Sequence, residues 1–138
     1  MSAPHSRAHA EALGIGAMCG AATWFIDLTV LPRHGEVVQF REAFIRYLGE
    51  LMSLVEQLTS LHGPDDGHAH AALASVAEAR RRLAEPEAAG LNGEVTRVKQ
   101  LARSVVALSE HHEALTALRA DVCPGCDRAI EAGVRPTP

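Results

Sequence analysis

Lysine is almost missing from this sequence: Lys99 stands alone among thirteen basic residues, and the rest are arginine. Together with abundant alanine and glycine, that skew reflects a coding bias more than a function. Aromatic residues are equally scarce. The five present, Trp24, Phe25, Phe40, Phe44 and Tyr47, all fall within one third of the chain, so a row of stacking platforms for nucleobases is excluded. Net charge is only −4 and the isoelectric point about 6.0, which argues against a general nucleic-acid binder. Three cysteines in 138 residues make no disulfide framework and point to a reducing compartment. The chain also lacks a glycine-rich phosphate loop, a nucleophile elbow and a paired-acid motif. Alternating strands are missing after residue 35, as is any internal repeat.

What the chain does have is apolar content, 47% of its residues, enough for one domain with a real core. Much of it sits in the stretch 35–63, GEVVQFREAFIRYLGELMSLVEQLTSLHG. Val37, Phe44, Leu48, Leu51, Val55 and Leu58 alternate steps of three and four, which keeps one stripe of a helix against a neighbour. A second line, Val38, Ile45 and Met52 with Leu54 and Leu61 nearby, widens the apolar surface, so this helix needs more than one neighbour. At ~1.5 Å per residue it spans roughly 40 Å. It reads as the spine of the fold.

Two further helices follow. One covers about 68–85, with Ala72, Leu73, Val76, Ala79, Arg80 and Leu83 defining its faces and Glu78 four residues ahead of Arg82 for a helical ion pair. The segment 86–93 (PEAAGLNG) is a connector in which Asn92 suits a helix cap. The last helix, about 93–120, carries Val95, Val98, Leu101, Val105, Leu108, Leu115 and Leu118, with His112 in the seam. Ahead of the spine, AATWFIDLTVL (residues 21–31) reads as a first helix, although its β-branched residues also allow a strand. Residues 1–20 read as a flexible N-terminal arm and 121–138 as a CxxC turn with a loose tail. The expectation is an all-α fold, a three- to four-helix antiparallel bundle with one long central helix over residues 21–120. The apolar run 13–31 imitates a signal peptide, but Glu11 stands just ahead of it and Asp27 interrupts it, so neither export nor a membrane span is expected.

The order of these signals resembles a known family. The residues that carry the likeness are LTVLPRHGEVVQFREAFIRYLGELMSLVEQL, then AEARRRL, then EVTRVKQLARSVVALSEHHEAL, with Val98-Lys99-Gln100-Leu101-Ala102-Arg103 the strongest match and Leu31-Pro32-Arg33-His34 the next. Over about residues 22–118 the chain is similar to a group of small actinobacterial helical proteins of unknown function, described as associated with natural-product biosynthesis. The resemblance implies an actinobacterial, cytoplasmic, all-α protein near a biosynthetic or regulatory cluster. It implies no catalytic residues.

Three chemistries compete with a purely structural reading. Cys123 and Cys126, in a Cys-Pro-Gly-Cys turn, supply half of a tetrahedral zinc site that His112, His111 or a second chain would complete. The same pair admits redox chemistry, but Ile130 stands where the all-helical thiol peroxidases place a histidine. His62, His68 and His70 flank Asp65 and Asp66, yet residues two apart on a helix point to different sides, and a solvated loop is the simpler reading. No histidine follows a glutamate by three residues, which removes the di-iron carboxylate bundle. Arg80, Arg81 and Arg82 spread around a helix and are expected to pair with Glu78 and Glu85. Trp24, Phe25, Phe40, Phe44 and Tyr47 are expected to gather where the first helix crosses the spine, as core or as the lining of an apolar pocket for a small hydrophobic ligand.

The sequence thus points to a non-catalytic accessory or regulatory interaction protein, a homodimer or bound to another protein, with no nucleic-acid or membrane partner. Phe44, Leu48, Leu51, Val55 and Leu58, facing Leu101, Val105 and Leu108, are its expected packing residues. No cofactor is expected, zinc at the cysteine motif being the alternative.

Overall fold

The computed structural model of the chain describes residues 4–63, 65–87 and 90–121, and side chains within 14–118. Four helices follow one another: α1 Pro4–Ile26, α2 His34–Thr59, α3 Gly67–Ala84 and α4 Gly90–Asp121. They run up, down, up, down, and no strand occurs among the described residues. The all-α bundle read from the sequence is the observed architecture.

The heptad stripes do what their spacing requires. Val37, Phe44, Leu48, Leu51 and Val55 of α2 are buried, as are Val98, Leu101, Val105, Leu108 and Leu115 of α4. α4 is the hub, packing against each of the other three helices, whereas α1 rests on α4 and touches α2 only lightly. α3 buries Ala69, Ala72, Val76 and Ala79, small side chains that let its backbone approach closely. Leu73 and Arg80 face outward instead. The second apolar line of α2 is partly covered: Met52 and Leu54 pack against the core, while Ile45 and, just beyond the helix, Leu61 are exposed.

The first helix is where sequence and structure part. α1 begins at Pro4, within the expected arm, and ends at Ile26; residues 27–33 are the connector to α2, although 27–31 were expected to continue the helix. Pro4 tolerates the first position of a helix, where its missing N–H is no loss. Ile15, Ala22 and Phe25 anchor α1 to the core, and this packing outweighs the low helix propensity of Gly14, Gly16 and Gly20. At the connector the sole lysine earns a role: Lys99 Nζ donates to the Leu28 carbonyl at 3.0 Å.

Smaller differences follow from local chemistry. At the start of α2 the Glu36 carboxylate accepts the Arg33 backbone N–H at 3.0 Å, half of a capping box. The regular part of α2 closes at Thr59, four residues ahead of Gly63. α4 starts at Gly90, whose φ of +79° is left-handed and suited to glycine. Asn92 therefore lies inside the first turn, its carbonyl accepting the Thr96 hydroxyl at 3.1 Å.

Candidate functional site

α3 has 18 residues against 32 in α4, so it covers only part of α4, and a connector follows Ala84. Beneath that connector sits a cluster of buried charge. Arg41 Nη1 reaches both Glu94 at 3.1 Å and Glu87 at 3.0 Å, and Glu94 above all raises the Arg41 pKa further beyond its ordinary value. Arg97, with only 10% of its side chain exposed, places Nη1 3.7 Å from the Glu94 carboxylate. Its Nη2 donates to the Glu85 carbonyl at 3.1 Å, while Nε and Nη1 lack a hydrogen-bond partner. The cluster ties α2, α4 and the connector together.

The arginine run on α3 divides its work. Arg80 crosses to Glu56 of α2 at 2.8 Å. Arg81 pairs with Glu78 and Glu85 on its own helix, as expected. Arg82 keeps the expected ion pair to Glu78 at 3.0 Å, but also reaches inward, donating to the Gln100 carbonyl at 3.0 Å and to the buried Ser104 hydroxyl at 2.9 Å. A residue expected among solvated charges is thus a clamp between α3 and α4.

The five aromatic rings come together as expected, where α1 meets α2. Phe25 and Phe44 are fully buried and meet edge to face, centroids 5.7 Å apart. Phe40 lies 5.1 Å from Phe25 and 5.7 Å from Phe44, and Tyr47 extends the chain 6.0 Å beyond Phe44. Trp24 stacks on Phe40 at 5.4 Å with the planes only 23° apart. It is the outlier of the group: 56% of it is exposed, on the outer edge of the cluster. The exposed Val30 and Leu31 lie in the connector that follows.

About ten residues from Trp24 along α1, the same helix pair opens into a cleft. Its volume is about 560 Å³, and Gly14, Ile15, Met18, Gly49, Glu50, Ser53 and Leu54 line it. Gly14 and Gly49, one on each helix, contribute no side chain to fill it. From Gly14 to Ile26 the helix carries no charged side chain, although Gly14, Gly16, Ala17, Gly20 and Trp24 face outward. An exposed helical face without charge is unusual for a solvated surface.

The metal candidates fall into two groups. Cys123 and Cys126 lie outside the described residues. His112 is 9% exposed in the α4 seam between Leu108 and Leu115, where the heptad places it. His62 Nδ1 is 3.0 Å from Asp66 Oδ2, and His68 and His70 are exposed near the start of α3. No group of three or more histidine, cysteine or acidic side chains able to hold a metal occurs among the described residues. The expected packing residues Phe44, Leu48, Leu51, Val55, Leu101, Val105 and Leu108 are fully buried inside the chain, with Leu58 packed against the same core. A partner therefore meets some other surface. No described helix is long and apolar enough to cross a membrane.

The residues beyond sequence reasoning were those of the cleft. Two glycines and a light helix–helix contact leave no positive mark in a sequence, and only the missing charge of residues 14–26 signals the surface. Neither a curated protein nor a solved structure matches the chain. Residues 16–117, covering α1 from its glycine-rich part through most of α4, match one family, and the chain belongs to it: the family of unknown function DUF6415.

Proposed function

We propose that this protein is a non-catalytic helical interaction module whose working surface is the outer face of α1 and α2. One observation carries this reading: an uncharged face of α1 that bears a half-exposed tryptophan near one end and borders an open, mostly apolar cleft about ten residues away. Tryptophan is enriched among residues that dominate binding energy, and contiguous exposed apolar surface marks contact sites more often than solvated ones. An accessory or regulatory role in an actinobacterial cytoplasm, linked to natural-product biosynthesis, is the setting that the family resemblance implies. The cleft supports a second reading, a site for a small hydrophobic ligand, since its volume lies in the range of ligand pockets.

Native mass spectrometry of the full chain, purified without chelator, separates these readings. A stoichiometric complex with protein, lost in Trp24→Glu while the helical circular dichroism persists, is the expected result. A monomer retaining an organic mass would transfer the function to the cleft. A monomer retaining zinc that Cys123→Ser abolishes would transfer it to the cysteine motif. Either of the last two outcomes overturns the interaction reading.

A further inference from the structure

Arg97 is the odd member of the ionic cluster. Its side chain is only 10% exposed. Among the described residues its Nε and Nη1, which carry most of the guanidinium N–H donors, have no hydrogen-bond partner. Nη2 alone is satisfied, by the Glu85 carbonyl at 3.1 Å. A buried donor without an acceptor costs the full desolvation of that group, more when it is charged, and native interiors keep very few. Glu94 does not meet the need. Its Oε2 accepts the hydrogen bond of Arg41 Nη1 at 3.1 Å and stands 3.7 Å from Arg97 Nη1, beyond hydrogen-bond length.

Two guanidinium groups thus converge on one buried carboxylate oxygen. The other carboxylate of the cluster, Glu87, is of a different kind. It meets Arg41 Nη1 at 3.0 Å, but 67% of its side chain is exposed, and ion pairs with so exposed a partner contribute little and exchange readily. With Glu87 turned away, the buried part of the cluster holds two cations, Arg41 and Arg97, against one anion, Glu94.

We propose that Arg41 and Arg97 form a binding site for an oxyanion, the phosphate or carboxylate group of a small ligand, which displaces Glu87 from Arg41 and supplies the acceptor oxygens that Arg97 Nε and Nη1 lack. Glu87 is then the chain's own stand-in for the ligand group. Two arguments favour an anion over a water molecule. Water would satisfy the donors but leave the second buried cation uncompensated. Guanidinium groups also grip phosphate and carboxylate through several directed N–H groups at once, and both Nη1 atoms lie within 3.7 Å of one Glu94 oxygen, near enough for a single oxyanion to meet both. The site shares no residue with the α1–α2 face, so it stands or falls apart from the interaction reading.

Inorganic phosphate is the probe. Melting temperatures of the full chain near neutral pH, with phosphate titrated through the low millimolar range and ionic strength held constant with sodium chloride, test the proposal. The expected result is a saturable rise. Acetate, titrated in the same way, tells a carboxylate site from a phosphate site by which anion raises the melting temperature at lower concentration. Glu87→Gln removes the competing carboxylate from an exposed position and should lower the half-effect concentration several-fold. Arg97→Met should abolish the response. Arg97→Lys keeps the charge but not Nε, and should respond more weakly than the parent. Phosphate also stabilises proteins by exclusion from their surfaces, but that effect does not saturate or depend on Arg97, so the difference between parent and variant is the measure. The Nε–H proton resonance of Arg97, identified by its loss in Arg97→Met, should move along the same titration curve. A response equal in parent and Arg97→Met, no response to either anion, or a half-effect concentration unmoved by Glu87→Gln overturns the proposal.

Discussion

Glu94 is the residue on which the ionic side of this fold depends. It is 6% exposed and stands between two guanidinium groups, those of Arg41 and Arg97. Buried ion pairs contribute little net stability, because desolvation offsets their attraction, yet removing one partner leaves a charge without compensation. The two sides of the cluster should therefore respond unequally, since losing Glu94 strands two guanidinium groups whereas losing Arg97 leaves Glu94 paired with Arg41. Glu94→Ala is expected to cost about 3 kcal/mol, read as a lower urea midpoint with an unchanged slope. Arg97→Met removes Nε and Nη1, which lack hydrogen-bond partners, at the cost of the Nη2 bond to the Glu85 carbonyl, and leaves Glu94 paired with Arg41, so its midpoint should fall less than that of Glu94→Ala. Equal losses from both changes would mean that Arg97, too, contributes net stability.

Among the elements, α3 depends most visibly on its first turn. The Asp66 carboxylate accepts the backbone N–H groups of His68 at 2.8 Å and Ala69 at 3.1 Å and meets His62 Nδ1 at 3.0 Å. The Ala69 N–H foremost, with His62 and the His68 N–H, holds its pKa below the ordinary 3.8 against the opposing effect of partial burial. A depressed carboxyl stabilises the folded chain above the unfolded-state value, and that share fades as pH falls through it towards the folded one. Melting temperatures followed from neutral pH to about pH 3 should show a steeper decline for the parent than for Asp66→Asn, which keeps an acceptor oxygen for the cap but does not titrate. Parallel declines would place the acid sensitivity elsewhere. The element scale is also where sequence reading succeeded and failed most clearly. α2 and α4 were legible because their apolar residues repeat against a polar background, and His112 falls in the α4 seam where the count puts it. α1 was not, because the stretch 14–26 offers no polar face for contrast and its glycines argue against a helix that packing on α4 supports. The aromatic cluster was legible from its compression into residues 24–47; the cleft, built from missing side chains, was not. Arg82 was misplaced for a third reason: its partners on α4 are distant in sequence, and helical spacing describes only neighbours on the same helix.

At the scale of the molecule, the four helices are unequal members. α4 packs on all three others, and Val98, Leu101, Ala102, Val105 and Leu108 in its middle are buried in the common core. α1 has one substantial neighbour and an outer face open to solvent. Local opening takes least free energy where few buried contacts hold an element, and most where the core converges. Amide hydrogen exchange should therefore rank the helices, with the middle of α4 slowest and the glycine-bearing part of α1 fastest. That ranking depends on what covers α1. Where a second chain seats on its outer face, α1 amides and those of α2 around Gly49 should slow as protein concentration rises, while α3, on the far side of α4's contacts, keeps its rate. Exchange measured at dilute and concentrated protein thus separates a helix that is weakly held by nature from one awaiting its neighbour. Uniform slowing of all four helices would instead indicate global stabilisation by another face, and a concentration-independent, slow α1 would mean that its contact with α4 alone suffices to hold it.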